Sequence, residues 1–121
     1  MSCLFRSLAS FIHNLNESRL REMIVDYLAT DPFMFRNPDQ RLSEILQVDN
    51  ITLDQYVHHM RNESTWGGAI EIRAFADMFH ASVIVHMKPT KKIIEFHPNN
   101  STESKNQFTI FWDGGHYEPQ L

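Results

Sequence analysis

Along the first three-quarters of the chain, apolar residues recur at intervals of three and four, the period of a helix with one buried face. Phe5, Leu8, Ala9 and Ile12 share such a face, which predicts a helix beginning at or near Cys3. Asn16 suits an N-cap, and Leu20, Met23, Ile24, Tyr27 and Leu28 form the stripe of a second helix. Asp31-Pro32 ends it, because the residue before a proline disfavours helical geometry. Residues 31–38 hold two prolines and three aromatic or Met side chains, which predicts a packed turn. Leu42, Ile45 and Leu46 suggest a short third helix. Thr52-Leu53-Asp54-Gln55 matches a capping box and heads a fourth, with Leu53, Tyr56, Val57 and Met60 on one face. A fifth runs from about Gly67 to Phe79, is apolar nearly all round, and should be the most buried.

After His80 the pattern becomes extended. Ser82–Met87 and Lys92–His97 are β-branched and aromatic runs joined across Pro89, the signature of a hairpin. Pro98–Asn106 reads as a polar loop and Gln107–Trp112 as a third strand. Asp113-Gly114-Gly115 signals a tight turn, after which His116 opens a fourth strand. Helices followed by an antiparallel meander make an α+β architecture, one domain over residues 1–121, with helices packed on a small, mainly antiparallel sheet.

Composition narrows the possibilities. With 42% hydrophobic and 21% charged residues, four glycines and five prolines, the chain is neither disordered nor collagenous. Fifteen acidic against eleven basic residues leave a net charge of −4, the wrong sign for a general nucleic-acid or anionic-membrane binder, so neither partner is expected. No apolar stretch approaches bilayer-spanning length. Cys3 is the only cysteine, which excludes an internal disulfide and a multi-cysteine zinc site. The start, Met-Ser-Cys-Leu-Phe-Arg, lacks signal-peptide features, so Asn16, Asn50, Asn62 and Asn99/Asn100 are taken as caps and loop residues. A reducing, cytoplasmic location and a monomer are expected.

Cys3 and His116 lie at opposite ends of the chain. A cysteine hydrolase needs a thiolate nucleophile and a histidine that holds the charge and later protonates the leaving amine. A thiol at a helix N-terminus has a lowered pKa, and Cys3 is predicted at such an end. Residues i and i+2 share a strand face, so Glu118 would stand beside His116 and orient its ring. On these residues alone, a nucleophilic Cys3 and a small buried hydrophobe remain alternatives. His58, His59, His80, His86 and His97 show no convincing metal-ligand spacing, and no metal or cofactor is expected. Lys88, Lys91 and Lys92 read as a solvated turn.

Three segments carry a resemblance. Cys3-Leu-Phe-Arg-Ser-Leu-Ala9 resembles the nucleophile motif of the ovarian-tumour (OTU) family of deubiquitinases. Thr65-Trp-Gly-Gly-Ala-Ile-Glu-Ile72 is similar to its middle motif, and His116-Tyr-Glu118 to its carboxy-terminal histidine motif. They occur in the family's order and together span essentially the whole chain.

The resemblance implies a papain-like cysteine protease fold cleaving after the carboxy-terminal Gly-Gly of ubiquitin or a ubiquitin-like modifier, with polyubiquitin chains as partners. It implies Cys3 as nucleophile, His116 as base and acid, Glu118 or Asp113 as orienter, and Trp66-Gly67-Gly68 lining a narrow channel for the substrate's tail. Two glycines there let an extended backbone approach closely. The short length resembles compact viral members, for which the location would be the host cytoplasm. The family's Asp- and Gly-bearing loop ahead of the nucleophile has no counterpart in Met1-Ser2, and its usual Asp or Asn two after the histidine is here Glu118. The alternative expectation is therefore a catalytically impaired OTU-like module that binds ubiquitin.

Overall fold

The computed structural model describes residues 3–36, 38–99 and 106–121, with Cys3 by its backbone alone. The helices among them are α1 (Cys3–Ala9), α2 (Glu17–Ala29), α3 (Leu42–Gln47), α4 (Leu53–Met60) and α5 (Ala69–Phe79). Asn16 caps α2 by accepting the Arg19 N–H at 2.8 Å. Thr52 and Gln55 form the expected reciprocal box at the head of α4, at 3.1 and 3.0 Å. No helix among the described residues is long and apolar enough to cross a membrane.

The segment expected as a packed turn contains a small antiparallel pair, β1 (Phe33–Phe35) and β2 (Gln40–Arg41). The guanidinium groups of Arg36 and Arg41 lie 4.4 and 4.2 Å from the Phe33 ring centroid, and Met34 plugs the core. Asp31, in the left-handed region at φ 58°, accepts the Ser43 N–H and hydroxyl at 2.8 and 2.7 Å, which ties this ribbon to α3. Side-chain contacts across the ribbon, not strand propensity, make it.

The main sheet holds β3 (Ala81–Met87), β4 (Lys92–Phe96), β5 (Asn106–Trp112) and β6 (Tyr117–Pro119) in the order β4-β3-β5-β6. The β3–β4 and β5–β6 pairings are antiparallel, but β5 runs parallel to β3, from Ala81 opposite Asn106 to Met87 opposite Trp112. This corrects the expected meander to a mixed sheet. The reason lies in burial. Ser82, Val83, Ile84 and Val85 are all buried, so β3 is covered on both faces and takes a neighbour on each side. β4, with Lys92 exposed and Ile93 56% exposed, suits only the edge. β5 fills the other side.

One apolar core joins the layers: Leu4, Phe5 and Leu8 from α1, Leu20, Ile24 and Leu28 from α2, Phe75 from α5, and Val83, Val85 and Ile110 from the sheet. α5 lies on β3, while α1 packs against α2 and β6. The helix that opens with Cys3 is thereby laid on the strand that follows His116.

Candidate active site

Cys3 is the first residue of α1, as expected, and Leu4, Phe5, Ser7 and Leu8 behind it are buried. Its thiol lies outside the described atoms. α1 packs against β6, and the β5–β6 connection leading into that strand reverses at Gly114 with φ 105°, a conformation that favours glycine. Asp113 Oδ1 accepts the N–H of Gly115 at 3.0 Å and of His116 at 2.8 Å, and the Asp113 N–H donates to the His116 carbonyl at 3.1 Å. These amides hold the Asp113 carboxyl below the usual carboxylate range, with the His116 ring adding a smaller effect. His116 thus sits in the turn just before β6, exposed and fixed through its backbone. Glu118, two residues on, is exposed in β6 opposite Phe111. Both candidate orienters are within the same short segment.

Trp66, Gly67 and Gly68 lead into α5. Trp66 is 61% exposed. The two glycines have different surroundings. A Cβ on Gly67 would stand 3.0 Å from both Leu4 Cδ2 and Phe5 Cε2, so the close approach allowed there is to the chain's own α1. A Cβ on Gly68 would meet nothing within 4 Å, so open space lies on that side. Beyond it, an apolar cleft of about 230 Å³ opens between Ala69, Ile72, Ile94, Trp112 and Tyr117. It lies next in sequence to Gly68 at one end and to His116 at the other.

The sequence reasoning missed the polar residues under this segment. Glu71, 1% exposed, accepts the Gly68 N–H at 2.7 Å through Oε1 and the Tyr56 hydroxyl at 2.5 Å through Oε2. Burial pushes its pKa up against the pull of those two hydrogen bonds and of Arg21. Burial and the Glu71 charge push Tyr56 up too, so the phenol stays a donor. Arg21, 3% exposed, donates to the carbonyls of Met60 at 2.9 Å, Thr65 at 2.7 Å and Glu63 at 3.3 Å, and stacks 4.1 Å from the Phe5 ring centroid. The spacing Gly68-x-x-Glu71 is that of a helix cap and N3 acceptor, which was a legible signal. Arg21 shares the buried face of α2 with Ile24, Val25 and Leu28 at the i, i+3, i+4, i+7 spacing, so its position was legible and its charge was what masked it.

A second Ser-His-acid array exists in the sheet: Ser82 Oγ is 2.7 Å from His97 Nδ1, and His97 Nε2 is 3.0 Å from Glu95 Oε1. Ser82 is 2% exposed, so its hydroxyl cannot meet a substrate carbonyl. Among the described residues no three His, Cys, Asp or Glu side chains are grouped to hold a metal.

Comparison with known proteins matches residues 2–117 to the family described as OTU-like cysteine protease. The chain is 30% identical over 118 residues to ubiquitin thioesterase OTU1 of Saccharomyces cerevisiae, covering 97% of this chain and 35% of that protein. It is 28% identical over 123 residues to ubiquitin thioesterase OTU1 of Rattus norvegicus, covering 98% and 33%. The chain thus spans about a third of the length of these curated relatives. Among solved structures, an OTU domain in complex with ubiquitin superposes with a TM-score of 0.76 at 24% identity, over 97% of this chain and 62% of that one. The OTU domain protease from Dera Ghazi Khan virus gives 0.67 at 14%, over 97% and 72%. The papain-like OTU fold is therefore the fold of this chain. With the family's pattern running over residues 2–117, nearly the whole chain, the chain belongs to the OTU-like cysteine protease family.

Proposed function

We propose that the chain is a cysteine deubiquitinase, hydrolysing the isopeptide bond after the carboxy-terminal Gly-Gly of ubiquitin or a ubiquitin-like modifier through a thioester on Cys3. The observation that carries this reading is the packing of α1, headed by Cys3, against β6, entered through His116. Curated relatives named as ubiquitin thioesterases and the ubiquitin-bound OTU neighbour support the choice of substrate.

In this reading His116 takes the Cys3 thiol proton, and the thiolate attacks the carbonyl of the substrate's last glycine. The tetrahedral adduct collapses as His116 returns the proton to the departing lysine amine, and the C–N bond breaks. Water, deprotonated by His116, then attacks the thioester, releasing a carboxylate and restoring the thiol. Glu118 orients the His116 ring, with Asp113 fixing the turn that carries it. Trp66 and Gly68 border the passage for the glycines, and the apolar cleft takes side chains ahead of them. Polyubiquitin chains are substrates of the same chemistry, with the chain acting as a monomer in the cytoplasm, or the host's cytoplasm for a viral source.

Cleavage of diubiquitin by wild type, Cys3→Ser and His116→Gln tests this. Wild-type cleavage lost in both variants is the expected result. Undiminished cleavage by Cys3→Ser overturns the mechanism, and binding without cleavage by wild type turns the reading to a ubiquitin-binding module.

A further inference from the structure

The segment between α4 and α5 is held at both ends by buried ionisable side chains. At one end Arg21 gathers the carbonyls of residues 60, 63 and 65. At the other, Glu71 takes the Gly68 amide through one oxygen and accepts the Tyr56 hydroxyl from α4 through the other. Between the Thr65 carbonyl and the Gly68 amide lie only Trp66 and Gly67, and Gly67 is set so near the first turn of α1 that an added Cβ would stand 3.0 Å from Leu4 and Phe5. The Arg21 guanidinium lies on the same Phe5 ring. The two anchors therefore tie this backbone to the helix that begins at Cys3.

Burying a guanidinium and a carboxylate is costly, and apolar packing can hold a loop more cheaply. Charge-assisted hydrogen bonds add directional control instead. Here that control falls on the one glycine whose side faces open space. Resting on the deubiquitinase reading above, we propose that Arg21 and Glu71, with Tyr56 orienting Glu71, are positioning residues that fix the Thr65–Gly68 backbone against α1 and so set the width of the passage by which the substrate's glycines reach Cys3. None of the three touches substrate.

The test compares Tyr56→Phe, Glu71→Gln and Arg21→Lys with wild type in the full chain. For each, kcat and KM are measured on a ubiquitin carboxy-terminal fluorogenic amide well below Tm, together with the rate of Cys3 alkylation by iodoacetamide. A displaced passage costs about tenfold in KM or more, because sub-ångström placement governs productive binding. The thiol's reaction with the small reagent stays at the wild-type rate. Variants with lowered Tm but wild-type KM and kcat overturn the proposal, leaving these residues purely structural. Should wild type neither turn over nor form a ubiquitin adduct, the deubiquitinase reading fails separately, and hydrogen exchange at the Gly67 and Gly68 amides decides the positioning claim. Exchange at Gly68 accelerated about tenfold or more in Tyr56→Phe, beyond that of core amides, supports it. Unchanged exchange there overturns it.

Discussion

Gly67 lies so close to Phe5 that a Cβ added to it would stand 3.0 Å from Cε2 of that ring, and as close to Leu4 Cδ2. Both neighbours are buried, at 0% and 2% exposure, and neither can swing aside. Gly68, one residue on, has open space where its Cβ would be. Neighbouring glycines in one motif thus have different surroundings, one packed on α1 and one beside open space.

That difference sets the first expectation. Gly67→Ala lowers stability by about 1–3 kcal/mol through overpacking. Gly68→Ala costs only the loss of a good N-cap residue, about 0.5–1 kcal/mol, yet narrows the passage. Thermal melts and KM on a ubiquitin substrate are expected to rank the two oppositely, with Gly67→Ala less stable and Gly68→Ala higher in KM. The same ranking in both measurements contradicts the assignment.

Glu118 and Asp113 are expected to separate in kinetics. Glu118→Ala, removing the orienter of the proposed mechanism, is expected to lower kcat about ten- to a hundredfold with KM little changed. Asp113 acts through the backbone: its carboxylate, held below the usual range by two amides, supports the turn at pH above the ordinary Asp value and loses that role as pH falls on through its lowered folded value. The stability gap between wild type and Asp113→Asn should therefore close on acidification. Unchanged kcat in Glu118→Ala, with a large loss in Asp113→Asn, would reverse the two roles.

Glu71 gives a pH dependence of opposite sign. Its folded pKa is raised by burial, so its contribution to stability is fully present below the ordinary Glu value of 4.5 and is lost as pH rises through the raised value. Wild type should lose stability relative to Glu71→Gln over that rise, by about 1.4 kcal/mol for each unit of displacement. Denaturant titrations at a series of pH values measure it. A gap that instead widens in favour of wild type as pH rises contradicts the burial argument.

These residues also mark where sequence reasoning reached and where it stopped. The stripes of α2 and α4, the Thr52–Gln55 box and the β3–β4 hairpin follow from local period and capping, and the structure holds them. The parallel pairing of β3 with β5 depends on β3 being buried on both faces, a property of the assembled layers that no local pattern encodes. The β1–β2 ribbon depends likewise on Arg36 and Arg41 stacking on Phe33. In the site, Cys3, His116, Trp66 and the glycines stood out by type and position, and the structure sets α1 against β6 and Gly67 against α1. Arg21 and Glu71 were passed over despite their positions, on the buried face of α2 and at N3 of α5, since a charged residue in a helix reads as solvent-facing until the packing encloses it.

The central claim is that Cys3 is a nucleophile aimed by this fold at the carboxy terminus of ubiquitin. Intact-mass analysis tests it most directly, after mixing the protein with ubiquitin bearing a carboxy-terminal thiol-reactive electrophile, with denatured protein as control. A one-to-one adduct mapped to Cys3, formed only by folded protein and lost in His116→Gln, is the expected result. No adduct from folded protein whose Cys3 still alkylates with iodoacetamide would contradict it.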